Sequence, residues 1–211
     1  MTGGHESRST RAWTCTDRRW RPRSARRIDS PDSTEDPILH VRRFADAPAL
    51  VGRAGGWLEE REAEHNLIFG ICSTLAEDPS TSEGPPLLAT VEVDGTVVAV
   101  ALRTPPWNVV LSEVDDPAAL GALAAHLATD PLHGAADVPG VIGPAEHATR
   151  FARLWAERTG ALAVHDMTER IFRLTTVRRP WSAPGSKRTA THDDRALLVG
   201  WFSAFHREAF G

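Results

Sequence analysis

The segment from Leu87 to Thr104 constrains this chain more than any other: two β-branched, apolar runs, Leu87–Val93 and Thr96–Thr104, are separated only by Asp94-Gly95. Strands twist to the right, and the two-residue turn that joins them needs positive φ at its centre, which Asp-Gly tolerates at little cost. The spacing predicts a β-hairpin. Trp107–Leu111 follows Pro105-Pro106 closely enough to pair next and extend the hairpin into an antiparallel meander.

Helical spacing surrounds this meander. Asp46 is placed to cap a helix that opens with Ala47-Pro48, where a missing N–H costs nothing, and Leu50, Val51, Ala54, Trp57 and Leu58 follow on one face. Gly55-Gly56 weakens that helix without ending it. A second pattern runs from Ala63 through Leu67, Ile68, Ile71, Cys72 and Leu75 and closes before Asp78-Pro79, and residues 79–86 read as an exposed loop. Asp115 or Asp116 caps a third helix with Pro117 near its start and Leu120, Leu123, Ala124 and Leu127 inward. Val138–Ile142 reads as a buried strand. Ala145–Thr159 reads as a helix with Phe151, Leu154 and Trp155 inward and Gly160 at its end, and Ala161–Val177 as a long strand region. With a first strand in Ile38–Phe44, the order is strand, two helices, three antiparallel strands, helix, strand, helix, strand. That is an α/β (α+β) fold with a mixed, largely antiparallel sheet flanked by helices.

At 211 residues there is room for one ordinary domain with tails. Hydrophobic residues at 41% and charged residues at 25% are a soluble balance, and no apolar run approaches the roughly 20 residues of a membrane span. Cys15 and Cys72 are far apart and suggest neither a disulfide framework nor a metal site. Cys72 reads as a small core residue in a reducing cytosol, so a cytoplasmic location is expected.

The net charge of -4 conceals eight arginines in the first 27 residues, set against only Glu6 and Asp17. Residues 1–36 have no apolar period, so a disordered, Arg-rich tail is predicted. An arm for nucleic acid, with Trp13 and Trp20 as stacking groups, is one reading of it. An unstructured tail and a start assigned too far upstream, with initiation at Val41, are the others, and the last is favoured. Nucleic acid is therefore not the expected partner. No apolar stretch follows Arg27, as a secretory signal would require.

The element order, together with the stretches from Glu64 to Ile71 and from Ala101 to Ser112, resembles the GNAT superfamily of acetyl-CoA-dependent N-acetyltransferases. The resemblance is closest to the degenerate N-terminal lobe of two-lobed bacterial members and covers about Val41 to Gly211. It implies a GNAT-like lobe over residues 37–178. Residues 179–211 would be a linker and the first helix of an incomplete second lobe, with Arg188-Thr189-Ala190-Thr191 as its opening strand. It also implies acetyl transfer to an amine-bearing small molecule or peptide, with acetyl-CoA as cofactor and no metal.

Such proteins hold the cofactor's pyrophosphate on backbone N–H groups of a glycine-rich turn leading into a helix. Here the equivalent turn, residues 112–117, has no glycine, contains Pro117 and carries Glu113, Asp115 and Asp116. Like charges at such spacing cost roughly 1 kcal/mol per pair even in water. This lobe is therefore not expected to bind acetyl-CoA, and the chain is expected to be a truncated N-terminal lobe, inactive alone. The alternative is a non-enzymatic module that binds a partner or ligand and carries a basic arm.

No catalytic, cofactor-binding or metal-ligating residue is assigned. His126 and His133 flank a helix end, and His165-Asp166 is a pair of strand neighbours facing opposite ways. Gly140-Val141-Ile142-Gly143 reads as a turn, and Glu59, Glu60, Glu62 and Glu64 as a solvated helix face. Polar groups in apolar context are the candidates for a substrate cleft or an interlobe surface: Asn66, Arg103, Trp107 and Asn108. In the final helix, Leu197, Leu198, Trp201, Phe202 and Phe205 suggest dimerisation through that element.

Overall fold

The structure is a computed structural model that describes residues 9–15, 38–133, 138–178 and 185–210. The chain forms two compact units, one ending at Arg173 and one beginning at Leu174. In the first, strands β1 (Ser9–Cys15), β2 (Leu39–Arg43), β3 (Leu87–Val93), β4 (Thr96–Arg103), β5 (Val109–Leu111), β6 (Gly140–Pro144) and β7 (Leu162–Glu169) form one sheet in the order β2-β3-β4-β5-β6-β1-β7. The ladders from β2 to β5 are antiparallel, and those joining β5, β6, β1 and β7 are parallel. Helices α1 (Ala47–Glu59), α2 (Asn66–Glu77), α3 (Ala118–Ala128) and α4 (Ala145–Thr159) flank the sheet. The mixed α/β architecture read from the sequence is the one observed.

The alternation of side chains along a strand builds the two cores. Leu87, Ala89 and Val91 of β3 share one core with Ala99, Ala101, Val109 and Leu111, covered by Leu120, Leu123 and Leu127 of α3 and Phe151 and Trp155 of α4. Leu88, Val100, Leu102 and Val110 face the other way, onto Leu50, Ala54 and Leu58 of α1 and Ile68, Cys72 and Leu75 of α2. β3 is consequently buried on both faces, and each fully buried leucine there is worth about 1.5–3 kcal/mol. Burial also pushes the Cys72 thiol up to about 11, leaving it protonated and inert.

Local chemistry sets the element ends. Asp46 caps α1 by accepting from the Ala49 amide at 2.8 Å. Asp94 and Gly95 turn the hairpin with φ of 49° and 76°. Pro117 occupies the N-cap position of α3, but it is the Asp116 carboxylate that accepts from the Ala118 amide at 2.9 Å. Gly160 ends α4 in the left-handed region at φ 71°.

Several expectations are corrected. Residues 9–15, placed within a disordered tail, form β1. The β6–α4–β7 crossover leaves a gap of one strand, and β1 fills it parallel to both neighbours, a partnership that composition does not reveal. The rest of the predicted tail, residues 1–8 and 16–36, lies outside the described residues. The strand region after Ala161 ends at Glu169, which pairs with Cys15. The Gly140–Gly143 segment is not a turn but the body of β6. A Cβ on Gly143 would stand 2.9 Å from both the Cβ and the carbonyl oxygen of Leu111, so only glycine permits this approach.

In the second unit, α5 (Arg195–Phe210) follows a short 3-10 turn, His192–Asp194. Residues 188–191 form no strand. Arg188 instead makes a two-pronged pair with Asp194 at 2.6 and 2.8 Å, and Thr191 and Asp194 form a capping box. Local caps thus define this turn where a strand was expected. Part of the predicted linker, residues 179–184, lies outside the described residues.

Two glycine substitutions test this description in opposite directions. Gly143→Ala should destabilise the chain by about 1–3 kcal/mol through overpacking against Leu111. Gly121→Ala in α3, where an added methyl meets nothing within 4 Å, should stabilise by about 0.5–1 kcal/mol. Urea denaturation midpoints read both.

Candidate functional site

Where the antiparallel half of the sheet meets the parallel half, β5 and β6 pair only through Val109 with Val141 and Val110 with Ile142. Beyond that point a cavity of about 280 Å3 opens. Leu67 and Ile68 of α2, Val110 and Leu111 of β5, Ile142 and Pro144 of β6, and Ile171 give it apolar walls. Its charged lining is Glu64, Glu113, Glu169 and Arg173.

One buried histidine organises this region. His65, 1% exposed, lies just ahead of α2. Its Nε2 accepts from the Glu113 amide at 3.0 Å, and its Nδ1 lies 2.8 Å from the Leu58 carbonyl oxygen. A carbonyl only accepts, so Nδ1 must carry the proton and Nε2 must be bare. The ring is thereby held neutral, and burial lowers its pKa accordingly. Trp57 stacks on it with centroids 5.5 Å apart, and the Trp57 indole donates to Asp115 at 2.8 Å, beside an Arg61–Asp115 ion pair at 2.9 Å.

Glu113 is the cavity carboxylate that its surroundings perturb. Desolvation raises its pKa against the opposing pull of Arg61. His147 Nδ1 stands 3.5 Å from its Oε2, close enough for charge attraction but without hydrogen-bond geometry. Burial lowers the His147 pKa as well, so this ring adds little positive charge near neutral pH.

The turn after β5 offers few donors to a phosphate. The amides of Ser112 and Asp115 are bonded to the carbonyls of Val100 and Val98, and that of Glu113 to His65. The amides of Ala118 and Ala119 are bonded to Asp116. Trp57 and Arg61, the nearby side-chain donors, are engaged by Asp115. A cofactor pyrophosphate fits this set of groups poorly, since most of the donors are already used internally and the side chains are acidic. Among the described residues no group of three or more His, Cys, Asp or Glu is placed to hold a metal, and no helix is long and apolar enough to cross a membrane.

Of the four residues singled out in sequence, only Asn66 lines the cavity. It opens α2 and donates to the Ala63 carbonyl oxygen at 2.6 Å, locking the preceding turn. Arg103 is buried, and its Nε donates to the Trp107 carbonyl oxygen at 2.8 Å, bracing the Pro105-Pro106 turn. Its Nη1 lies 3.4 Å from His133. Trp107 is 69% exposed and Asn108 is half-buried, and neither lines the cavity. Sequence reasoning missed His65 and Glu113 as site residues. The signal available was a histidine one position ahead of an apolar helix and a carboxylate immediately after the meander, and both also fit a solvated surface.

No protein-family model matches the chain, and neither the curated proteins nor the solved structures contain a significant match.

The buried histidines set a pH dependence. Above the ordinary histidine value of 6.5 both folded and unfolded chains are neutral at these positions. Below it the unfolded chain takes up protons that folded His65 and His147 resist, so stability falls with pH toward their lowered folded values. Denaturation between pH 7.5 and 5 should show this decline, with a shallower slope in His65→Leu. That variant should also lose about 1–3 kcal/mol at pH 7.5 for each orphaned group, the Leu58 carbonyl and the Glu113 amide.

Proposed function

We propose that this chain is a GNAT-type lobe of an N-acetyltransferase in which the phosphate turn has been closed, so that acetyl-CoA is held outside this lobe and the lobe alone does not transfer acetyl groups. The reading is supported by the element order, by the antiparallel sheet that changes to parallel at β5 and β6, and by the cavity that opens there. The observation that carries it is the state of the turn at residues 112–119. The amides of Ser112, Glu113, Asp115, Ala118 and Ala119 are bonded within the protein, and Asp115 sits on the two donors, Trp57 and Arg61, that would otherwise face an incoming anion. A second reading, a non-enzymatic ligand-binding module, is favoured by the apolar cavity with its acidic lining.

Calorimetric titration of the full chain with acetyl-CoA should give no binding heat, with a folded circular dichroism spectrum. The double variant Asp115→Gly/Pro117→Ala removes a carboxylate, frees Trp57 and Arg61, and restores one amide donor. It should gain measurable acetyl-CoA affinity if the turn descends from a phosphate cradle. Micromolar binding to the wild type would overturn the closed-turn reading, and a folded double variant that gains nothing would overturn the GNAT reading.

A further inference from the structure

Two histidines meet the turn after β5, and they differ in what a further proton would cost. His65 has both ring nitrogens engaged, one by the Leu58 carbonyl and one by the Glu113 amide, so a second proton must break a bond. His147 has no such bond to break. It stands in the first turn of α4 with its ring mostly enclosed, and its Nδ1 is buried without a hydrogen-bond partner among the described residues. That nitrogen is 3.5 Å from Glu113 Oε2, roughly 0.7 Å longer than a charge-assisted N–H···O bond. The gap is too short to admit a bridging water, so only direct contact can close it.

The other charges around the ring are mixed in sign. Glu146 and Arg150 face it from α4, Asp115 from the turn after β5, and Arg61 from the segment after α1, the last two already paired with each other. The amide end of α4 opposes a cation in its first turn, and Glu146 in the same turn offsets that end. On the carboxylate side, Glu64 and Asp115 disfavour a bare negative charge at Glu113.

We propose that Glu113 and His147 form a proton-operated latch on the cavity wall. On acidification His147 takes one proton from solvent, its imidazolium donates Nδ1–H to Glu113 Oε2, and the gap closes. The cation carries an N–H on both nitrogens whichever tautomer precedes it. Glu113 lines the cavity and His147 does not, so closure draws the carboxylate toward α4 and takes one negative charge from the lining. Burial brings the two groups toward each other, His147 down from 6.5 and Glu113 up from 4.5, so the pair gains its proton between those values. Above that window the latch is open, and within it the latch is closed. The device stands whether the lobe belongs to a transferase or to a non-enzymatic binder.

The test titrates the full chain with acid by NMR, following the ring nitrogens of His147 and His65, the Glu113 carboxyl carbon and the methyls of Leu111 and Ile142. The His147 ring, the Glu113 carboxyl and both methyls should move with one midpoint, while His65 keeps its neutral tautomer. Glu113→Gln should weaken proton uptake at His147 by about tenfold or more and remove the linked methyl movement. A crystal structure below the midpoint should place Nδ1 about 2.8 Å from Oε2. Unchanged proton uptake at His147 in Glu113→Gln would overturn the proposal, as would a gap that stays open while His147 is cationic. Methyls that follow His65 instead, or unfolding before the His147 ring titrates, would overturn it too. The native-chain midpoints and the crystal distance decide the matter even if the variant does not fold.

Discussion

The imidazole of His65 ties together elements that the rest of the site depends on. With Nδ1–H directed at the end of α1 and Nε2 receiving the Glu113 amide, one buried ring joins the α1–α2 junction to the turn after β5. Trp57 stacked on that ring and the Asp115 carboxylate bonded to Trp57 and Arg61 close a loop of contacts around the same junction. A protonated ring would offer two donors where one donor and one acceptor are needed, so the neutral tautomer is a structural requirement. The wall of the cavity that carries Glu113 is positioned through this ring.

How much of this was legible in the sequence depends on the range of the interactions involved. The hairpin turn at Asp94-Gly95, the Asp46 cap and the Gly160 stop are local, and each is written within a few residues. Both cores were readable from periodicity, since Leu50, Ala54 and Leu58, or Leu120, Leu123 and Leu127, mark a buried face by spacing alone. β1 was not readable, because its strand character comes from a gap between β6 and β7 that only the assembled sheet creates. Gly143 was misread for a similar reason. A Gly-x-x-Gly spacing is compatible with a turn, and the close approach of Leu111 that demands glycine is a contact across the sheet. His65 and Glu113 are 48 positions apart, and their bond follows from helix packing, not from any motif.

The polar residues that drew attention in sequence separate cleanly in space. Arg103 is an internal brace whose buried guanidinium is spent on the Trp107 carbonyl. Asn66 reaches the cavity, yet its amide is turned to Ala63, so it shapes the entrance to α2 as much as it offers a contact. A polar residue in an apolar run is therefore an ambiguous signal, because satisfying a backbone turn and lining a cleft select the same residue types.

The acidic turn after β5 joins two properties that would otherwise be independent. Asp115 engages Trp57 and Arg61, and Asp116 engages the first amides of α3, which occupies several of the donors an anion would need. Glu113, in the same turn, contributes a desolvated carboxylate to the cavity. Keeping that charge costs stability, since burial raises its pKa and Arg61 offsets the rise only in part. A glycine-rich turn would restore amides for a phosphate but would lose the Glu113 carboxylate from the cavity lining. The same few residues thus occupy donors that an anion would need at the turn and place a carboxylate in the cavity lining.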